Sequence, residues 1–155
     1  MTTLQPRTRE AILQIAAWQI GVMETPSGSN LVKYGVDFGM NGQPWCMMFV
    51  WWVFREAGFN LHKTGSCTTL ASRYKTAGQW VTSGYKPGDI VMFDFSGKKT
   101  KTEHVGILES IDADGNLITI EGNTGTGNDA NGGAVMRRVR APKYVTGACR
   151  PGYNL

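Results

Sequence analysis

Cysteine and histidine, the residue pair that performs nucleophilic catalysis in many hydrolases, are both scarce in this chain. Its 155 residues include three cysteines, Cys46, Cys67 and Cys149, and two histidines, His62 and His104. A thiol becomes a strong nucleophile when a neighbouring histidine takes its proton, and a third polar side chain then orients the imidazole. The chemistry of this chain therefore depends on which thiol and which imidazole the fold brings together.

Cys46 has the position that best suits a nucleophile. It follows Pro44-Trp45 and begins an apolar segment ending at Gly58, which the sequence predicts as a buried helix. Unpaired N–H groups and the dipole at a helix N-terminus favour a thiolate, and the same groups can hold the oxyanion of a tetrahedral intermediate. Cys67 and Cys149 lack this context, and because free cysteine is usually buried we expect core positions for both.

His104 is the better candidate for the general base. His62 precedes Lys63-Thr64-Gly65, which reads as a surface turn, whereas His104 begins a predicted strand. The sequence Asp-Ala-Asp-Gly-Asn at 112–116 predicts that this strand continues through a hairpin turn into the next one.

The hairpin also predicts what orients the imidazole. If the turn is centred near Asp114, residue 104 lies opposite residue 124 to within about two positions. Glu121 and Asn123 both fall within that window and share one face of the strand. Either side chain can accept the imidazole N–H, and the pattern leaves the choice between them open.

The elements that must position these residues follow from hydrophobic periodicity and turn signals. Helices are predicted at about 8–21, 44–58 and 68–77, and strands at 90–95, 104–111, 117–121 and 134–140. The stretch 24–44 is rich in Gly, Ser, Asn and Pro and is predicted as a structureless loop with a binding surface. Helices followed by antiparallel strands indicate an α+β fold. Gly106, on the face of His104, is predicted to make room for the end of a helix.

Four segments in this order resemble the CHAP domain, the cysteine, histidine-dependent amidohydrolase/peptidase. They are Asn41-Gly-Gln-Pro-Trp-Cys46, Lys86-Pro-Gly-Asp-Ile-Val-Met-Phe93, Glu103-His-Val-Gly-Ile107 and Ile120-Glu-Gly-Asn-Thr124. The resemblance extends over residues 10–140. It implies a papain-like fold and cleavage of cell-wall peptidoglycan, as in phage endolysins, by an N-acetylmuramoyl-L-alanine amidase or a peptide endopeptidase. It also implies that Cys46 is the nucleophile, His104 the base, Glu121 the orienting residue and Asn123 a fourth member.

Aromatic side chains near the nucleophile suggest where substrate binds. We expect Tyr34, Phe38 and Trp45 to line an exposed groove, because aromatic faces suit contacts with sugars and peptides. Gln43, three residues before Cys46, is expected to supply a second oxyanion donor from its side-chain amide.

The sequence also bears on metal binding and on two functions that rival hydrolysis. Some CHAP domains bind calcium through an aspartate-rich loop before the cysteine, but here that region offers Glu24 and Asp37 without an Asp-x-Asp run. No metal or cofactor is therefore predicted. A transglutaminase-like acyltransferase on the same fold and a non-catalytic wall-binding module remain alternatives to a hydrolase.

Composition and charge bear on the binding partners of the chain and on where it acts. The net charge of +4 favours acidic partners in general, such as nucleic acid, anionic lipid or an anionic cell-wall polymer, and no recognition motif accompanies it to indicate nucleic acid. The longest apolar stretch, 45–54, is too short to insert across a bilayer, and the N-terminus lacks the apolar run of a secretory signal. We expect one monomeric catalytic domain over residues 1–155, made in the cytoplasm and acting on peptidoglycan after release through a holin-type pore or by lysis.

Overall fold

Four α-helices pack on an antiparallel sheet of six strands in the part of the chain that the computed structural model describes, residues 3–154. The strand order across the sheet is β1-β6-β2-β3-β4-β5. This arrangement confirms the predicted α+β fold. The elements are α1 Arg9–Trp18, α2 Lys33–Phe38, α3 Cys46–Glu56, α4 Cys67–Thr76, β1 Trp80–Val81, β2 Ile90–Phe93, β3 His104–Ile111, β4 Leu117–Thr124, β5 Ala134–Arg140, the 3-10 turn Pro142–Tyr144 and β6 Val145–Cys149.

Helix α3 is the centre of the fold, and residues 47–54 are all buried. It is apolar on every side because β3 and β4 cover one side while α1 and α2 cover others. A Cβ atom on Gly122 of β4 would lie 2.5 Å from Cβ of Phe49 and 3.0 Å from the Trp45 ring. Glycine at this position therefore lets the start of α3 lie directly on the sheet.

Gly106 has a different role from the one predicted. A Cβ atom there would lie 2.6 Å from Cγ of Glu121, so the group that needs the space is a neighbouring side chain on β4. The prediction that a helix end approaches Gly106 is wrong; the helix approaches Gly122 instead.

The stretch 24–44 is not structureless, because it contains α2. Its backbone is anchored by side chains from within the same stretch. The Glu24 carboxylate accepts a hydrogen bond from the Asn30 amide at 3.1 Å, and the Asn41 side chain accepts one from the Val32 amide at 3.0 Å. These local side-chain hydrogen bonds hold the backbone in place where the sequence has no regular hydrophobic pattern.

Two strands were missing from the sequence prediction, the short edge strand β1 and β6. β6 lies between β1 and β2, and its sequence Val-Thr-Gly-Ala-Cys has too few β-branched or aromatic residues to signal a strand. Trp80 of β1 lies against Gly147, where any side chain would collide with its ring. No helix within residues 3–154 is long and apolar enough to cross a membrane.

Candidate active site

The start of α3 sets the position of Cys46, the predicted nucleophile. Cys46 is the first residue of the helix, and the preceding Trp45 makes no side-chain capping hydrogen bond. The first intrahelical bond runs from the Phe49 amide to the Trp45 carbonyl, so the amides before Phe49 have no partner within the helix. Cys46 is a partly exposed residue, and it lies beside these unpaired amide groups.

His104, the first residue of β3, is fully buried and bonded to Glu121. Its Nε2 lies 2.8 Å from Oε1 of Glu121. Nδ1 has no hydrogen-bond partner, and it is the one buried side-chain nitrogen or oxygen of residues 3–154 in that condition. Because Glu121 occupies Nε2, Nδ1 is the nitrogen left to exchange a proton with the neighbouring thiol.

The register of the hairpin explains how Glu121 reaches the imidazole. Ile107 pairs with Ile120, so Gly106 lies opposite Glu121 when the pairing continues. His104 is two residues before Gly106 on the same face, which makes it the diagonal neighbour of Glu121. The Glu121 side chain crosses the space that Gly106 leaves empty.

The Glu121 carboxylate is held by two further residues that the sequence analysis did not identify. Arg140 donates from Nε to Oε2 at 2.9 Å and from Nη2 to Oε1 at 2.6 Å, and Thr119 donates from Oγ1 to Oε2 at 2.5 Å. All three side chains are buried. Arg140 was missed because it lies on β5, and only the pairing of β4 with β5 places it beside Glu121.

Aromatic rings and a second carboxylate fix Arg140 in turn. Its guanidinium lies 4.9 Å from the ring centroid of Phe95, and its Nη1 donates to Asp129 at 2.7 Å. The rings of Phe93 and Phe95 lie about 6 Å from the imidazole of His104, with centroid distances of 6.0 and 5.9 Å. The base is therefore enclosed by groups that leave it little freedom to rotate.

Asn123 does not join this group, contrary to the prediction. Its backbone is left-handed, with φ of 56°, and its side chain donates to Asn131 at 3.0 Å and accepts from the Gly133 amide at 3.0 Å. The backbone at Asn123 departs from a regular strand, so the expectation that residues 121 and 123 share a face does not hold. Asn123 anchors the 125–133 loop instead.

The pKa values of the ionisable groups in the site are strongly shifted in opposite directions. Burial raises the pKa of Glu121, but hydrogen bonds from Arg140 and His104 outweigh burial and lower that pKa to about 2. Burial lowers the pKa of His104, but its contacts with Cys46 and Glu121 outweigh burial and raise that pKa to about 9. Glu121 is ionised and His104 is protonated at neutral pH.

Cys67, expected in the core, is buried but also contacts the nucleophile. Its thiol hydrogen-bonds to Cys46; this bond, opposed by burial and supported by His104, holds the pKa of Cys46 well below its usual range. The same bond and burial raise the pKa of Cys67 well above its ordinary value. These opposite pKa shifts favour the thiolate form of Cys46 beside the protonated His104 and the neutral form of Cys67.

Three aromatic residues predicted to line an exposed groove lie in the core instead. Tyr34 and Trp45 are fully buried and stack on each other with ring centroids 5.5 Å apart, and Phe38 packs edge-on against Trp51 at 5.2 Å. They are buried because α2 folds onto α3. The groove prediction is wrong for all three, whereas Gln43 is exposed and its role as an oxyanion donor stays a prediction.

The two carboxylates considered for calcium are engaged with indole groups. Trp45 donates from Nε1 to Glu24 at 3.1 Å, and Trp52 donates from Nε1 to Asp37 at 2.7 Å. Residues 3–154 contain no group of three or more His, Cys, Asp or Glu side chains placed to hold a metal ion.

Comparison with solved structures places the fold among endolysins. The crystal structure of the endolysin LysIME-EF1 superposes with a TM-score of 0.60 at 16% sequence identity, covering 94% of this chain and 65% of that one. The crystal structure of Ly7917 gives a TM-score of 0.56 at 20% identity, covering 93% of this chain and 62% of that one. The chain thus spans somewhat less than two thirds of the length of these proteins.

Comparison of the sequence with known proteins identifies the family, which the solved structures alone do not. No curated protein matches the chain. The CHAP domain family, however, matches residues 38–123, which is more than half of the chain and includes Cys46, His104 and Glu121. The chain therefore belongs to the CHAP domain family.

Proposed function

We propose that this protein is a peptidoglycan hydrolase that cleaves an amide bond of the cell-wall peptide through a thioester on Cys46. The observation that carries the proposal is the buried series of hydrogen-bonded charged groups, Arg140, Glu121 and His104, that lies beside Cys46 at the start of α3. Glu121 bonds to Nε2 of His104, Nδ1 remains free, and the Cys46 thiol lies at an uncapped helix start. A structural cysteine needs none of these features.

The first half of the reaction forms the thioester. The Cys46 thiolate attacks the amide carbonyl, and the unpaired amides at the start of α3 stabilise the resulting oxyanion. His104 gives the proton on Nδ1 to the leaving amine as the carbon–nitrogen bond breaks. Glu121 stays ionised and keeps the imidazole oriented throughout.

The second half returns the enzyme to its starting state. Neutral His104 takes a proton from water through Nδ1, and the hydroxide attacks the thioester carbonyl. The carbon–sulfur bond breaks, the peptide leaves as a carboxylic acid, and Cys46 is again a thiolate beside an imidazolium.

Peptidoglycan as the substrate is supported by family membership and by the endolysin neighbours. One structure of Ly7917, with a TM-score of 0.52 to this chain at 19% identity, contains the hydrolysing product of MDP. The net charge of +4 would assist docking on an anionic wall. An endolysin route follows from the same proposal: synthesis in the cytoplasm and access to the wall through a holin-type pore or lysis.

Digestion of purified peptidoglycan tests the proposal. Wild-type protein should release new amine and carboxylate groups, and mass spectrometry of the fragments would identify the bond as an amidase or endopeptidase site. Cys46→Ala should release none, while Cys149→Ala, a buried thiol outside the site, should match wild type. Equal digestion by Cys46→Ala would overturn the proposal, and transfer of an added amine to the product would indicate an acyltransferase.

A further inference from the structure

A groove next to the catalytic residues has no part in the reaction described above. It has a volume of about 340 Å³ and lies between α4 on one side and the 100–103 segment with Thr146 on the other. Its walls carry the hydroxyls of Thr68, Ser72, Thr100 and Thr102.

Chain connectivity brings one end of the groove near the catalytic pair, because two residues of chain span at most about 7 Å. Thr68 follows Cys67, whose thiol contacts Cys46, and Thr102 lies two residues before His104. The hydroxyls of Thr68 and Thr102 are 2.6 Å apart and join the two walls at this end. Because an extended peptide advances about 3.4 Å per residue, the groove is within a few substrate residues of the scissile bond.

The loop that forms one wall is built rigidly. The buried carboxylate of Asp94 accepts hydrogen bonds from the amide and hydroxyl of Ser96, the amide and hydroxyl of Thr100 and the amide of Lys101. Thr146 also donates to the Lys101 carbonyl at 2.5 Å. A wall fixed before binding lowers the ordering cost when a ligand binds.

The charge in the groove is suited to an anion. Lys75 and Lys101 are exposed on opposite walls, and neither ammonium forms an ion pair within residues 3–154. The carboxylate lining the groove, that of Glu103, accepts a hydrogen bond from the Phe95 amide at 2.7 Å. The Lys75 ammonium lies over the Trp80 ring with Nζ 4.8 Å from the ring centroid, and this cation–π contact restricts the position of the charge.

We propose that this groove binds a free carboxylate of the cell-wall peptide between Lys75 and Lys101, while the threonine and serine hydroxyls contact the peptide backbone. The inference rests on the proposed function and adds to it a substrate-positioning site. Two ammonium groups on facing walls recognise a carboxylate, and the hydroxyls supply both donors and acceptors for amide groups.

The test compares Lys75→Ala/Lys101→Ala with Lys33→Ala/Lys86→Ala, a control that removes the same charge from exposed positions outside the groove. On soluble peptidoglycan fragments the groove variant should raise KM about five-fold with kcat nearly unchanged, and the control should match wild type. On fragments whose carboxylates have been converted to amides, wild type and the groove variant should have the same KM.

The outcomes separate this inference from the proposed function. If wild type releases no amine, the proposed function fails. If wild type cleaves and the groove variant behaves as the control does, only the groove assignment is overturned. A KM difference that persists on amidated fragments but disappears on fragments stripped of wall phosphate would also overturn it, because the lysines would then recognise phosphate.

Discussion

Two helices in this protein begin with a cysteine, and the two thiols touch, yet they have opposite properties. At α4 the Ser66 side chain caps the helix by accepting a hydrogen bond from the Thr69 amide at 3.1 Å, and Cys67 behind it is buried. At α3 no side chain caps the helix, and Cys46 is partly exposed. The Cys46 pKa is lowered mainly by the hydrogen bond from Cys67, whereas the Cys67 pKa is raised mainly by that same bond.

The difference shows that a helix N-terminus does not by itself make a thiol reactive. Both cysteines occupy the first helical position, so the dipole favours a thiolate at each. What distinguishes Cys46 is an imidazolium held in place by Glu121, together with amides that no cap has satisfied. Once Cys46 carries the negative charge, its neighbour must stay protonated because two adjacent thiolates would repel.

The largest expected effect comes from removing the charge that keeps His104 protonated. Glu121→Gln should lower kcat about 10²- to 10⁴-fold, because the imidazolium loses its anionic partner and the thiolate loses its counter-charge. The alkaline limb of the pH–rate profile, expected near pH 9 from the His104 pKa of about 9, should move to lower pH. Rates measured from pH 5 to 10 test both expectations.

Stability must be measured beside activity for this variant. Arg140 is buried against Glu121, and removing one partner of a buried ion pair typically costs about 3–5 kcal/mol. Glutamine retains a hydrogen-bond acceptor, whereas alanine would leave the guanidinium unpaired. If a thermal melt shows Glu121→Gln folded at the assay temperature and its pH limbs coincide with those of wild type, the proposed control of the thiolate is wrong.

Alkylation compares the two helix starts directly. With brief iodoacetamide treatment at pH 7, Cys46 should react on the order of 10² times faster than Cys67, because Cys46 is partly exposed and has a lowered pKa, whereas Cys67 is buried and has a raised pKa. Cys149, whose burial raises its pKa to about 12, should be equally slow. Peptide mass spectrometry gives the three rates, and preferential labelling of Cys67 would reverse the assignment.

The convergence of Cys46, His104 and Glu121 in the candidate site could be predicted from the sequence, together with the helix and strands that carry them. Cys46 at a helix start, His104 at a strand start and Glu121 across a hairpin all depend on local patterns. The predicted pairing register of the β3–β4 hairpin was wrong by one residue. A bulge between Leu108 and Ser110 shifts the pairing by one residue, so that position 104 lies opposite 123 rather than 124. A window of two positions was wide enough to include Glu121.

The supporting residues could not be predicted because they depend on long-range pairing. Arg140 reaches Glu121 only through the pairing of β4 with β5, and Cys67 reaches Cys46 only because α4 lies beside the start of α3. The prediction that aromatic residues line an exposed groove was wrong for a related reason. Tyr34 and Trp45 lie in a stretch that resembled a loop, and nothing local indicated that it folds over α3.

The smallest expected effect isolates what Cys67 contributes to its neighbour. Cys67→Ala removes the hydrogen bond that is the main cause of the low Cys46 pKa, so that pKa should rise. Protonation of Cys46 removes activity as pH falls, so the acid limb of the pH–rate profile should move to higher pH by about one unit. The alkaline limb near pH 9, which reports His104, should move little, and activity at pH 8 should stay within a few-fold of wild type.

Two variants distinguish this positioning role from simple packing. Cys67→Ser keeps a donor at the same place and should restore the acid limb, whereas Cys149→Ala removes a buried thiol without touching Cys46 and should leave both limbs unchanged. A packing defect would lower the melting temperature and kcat without moving either limb. If Cys67→Ala is folded and its acid limb coincides with that of wild type, then His104 and the uncapped start of α3 hold the thiolate without help from the second cysteine.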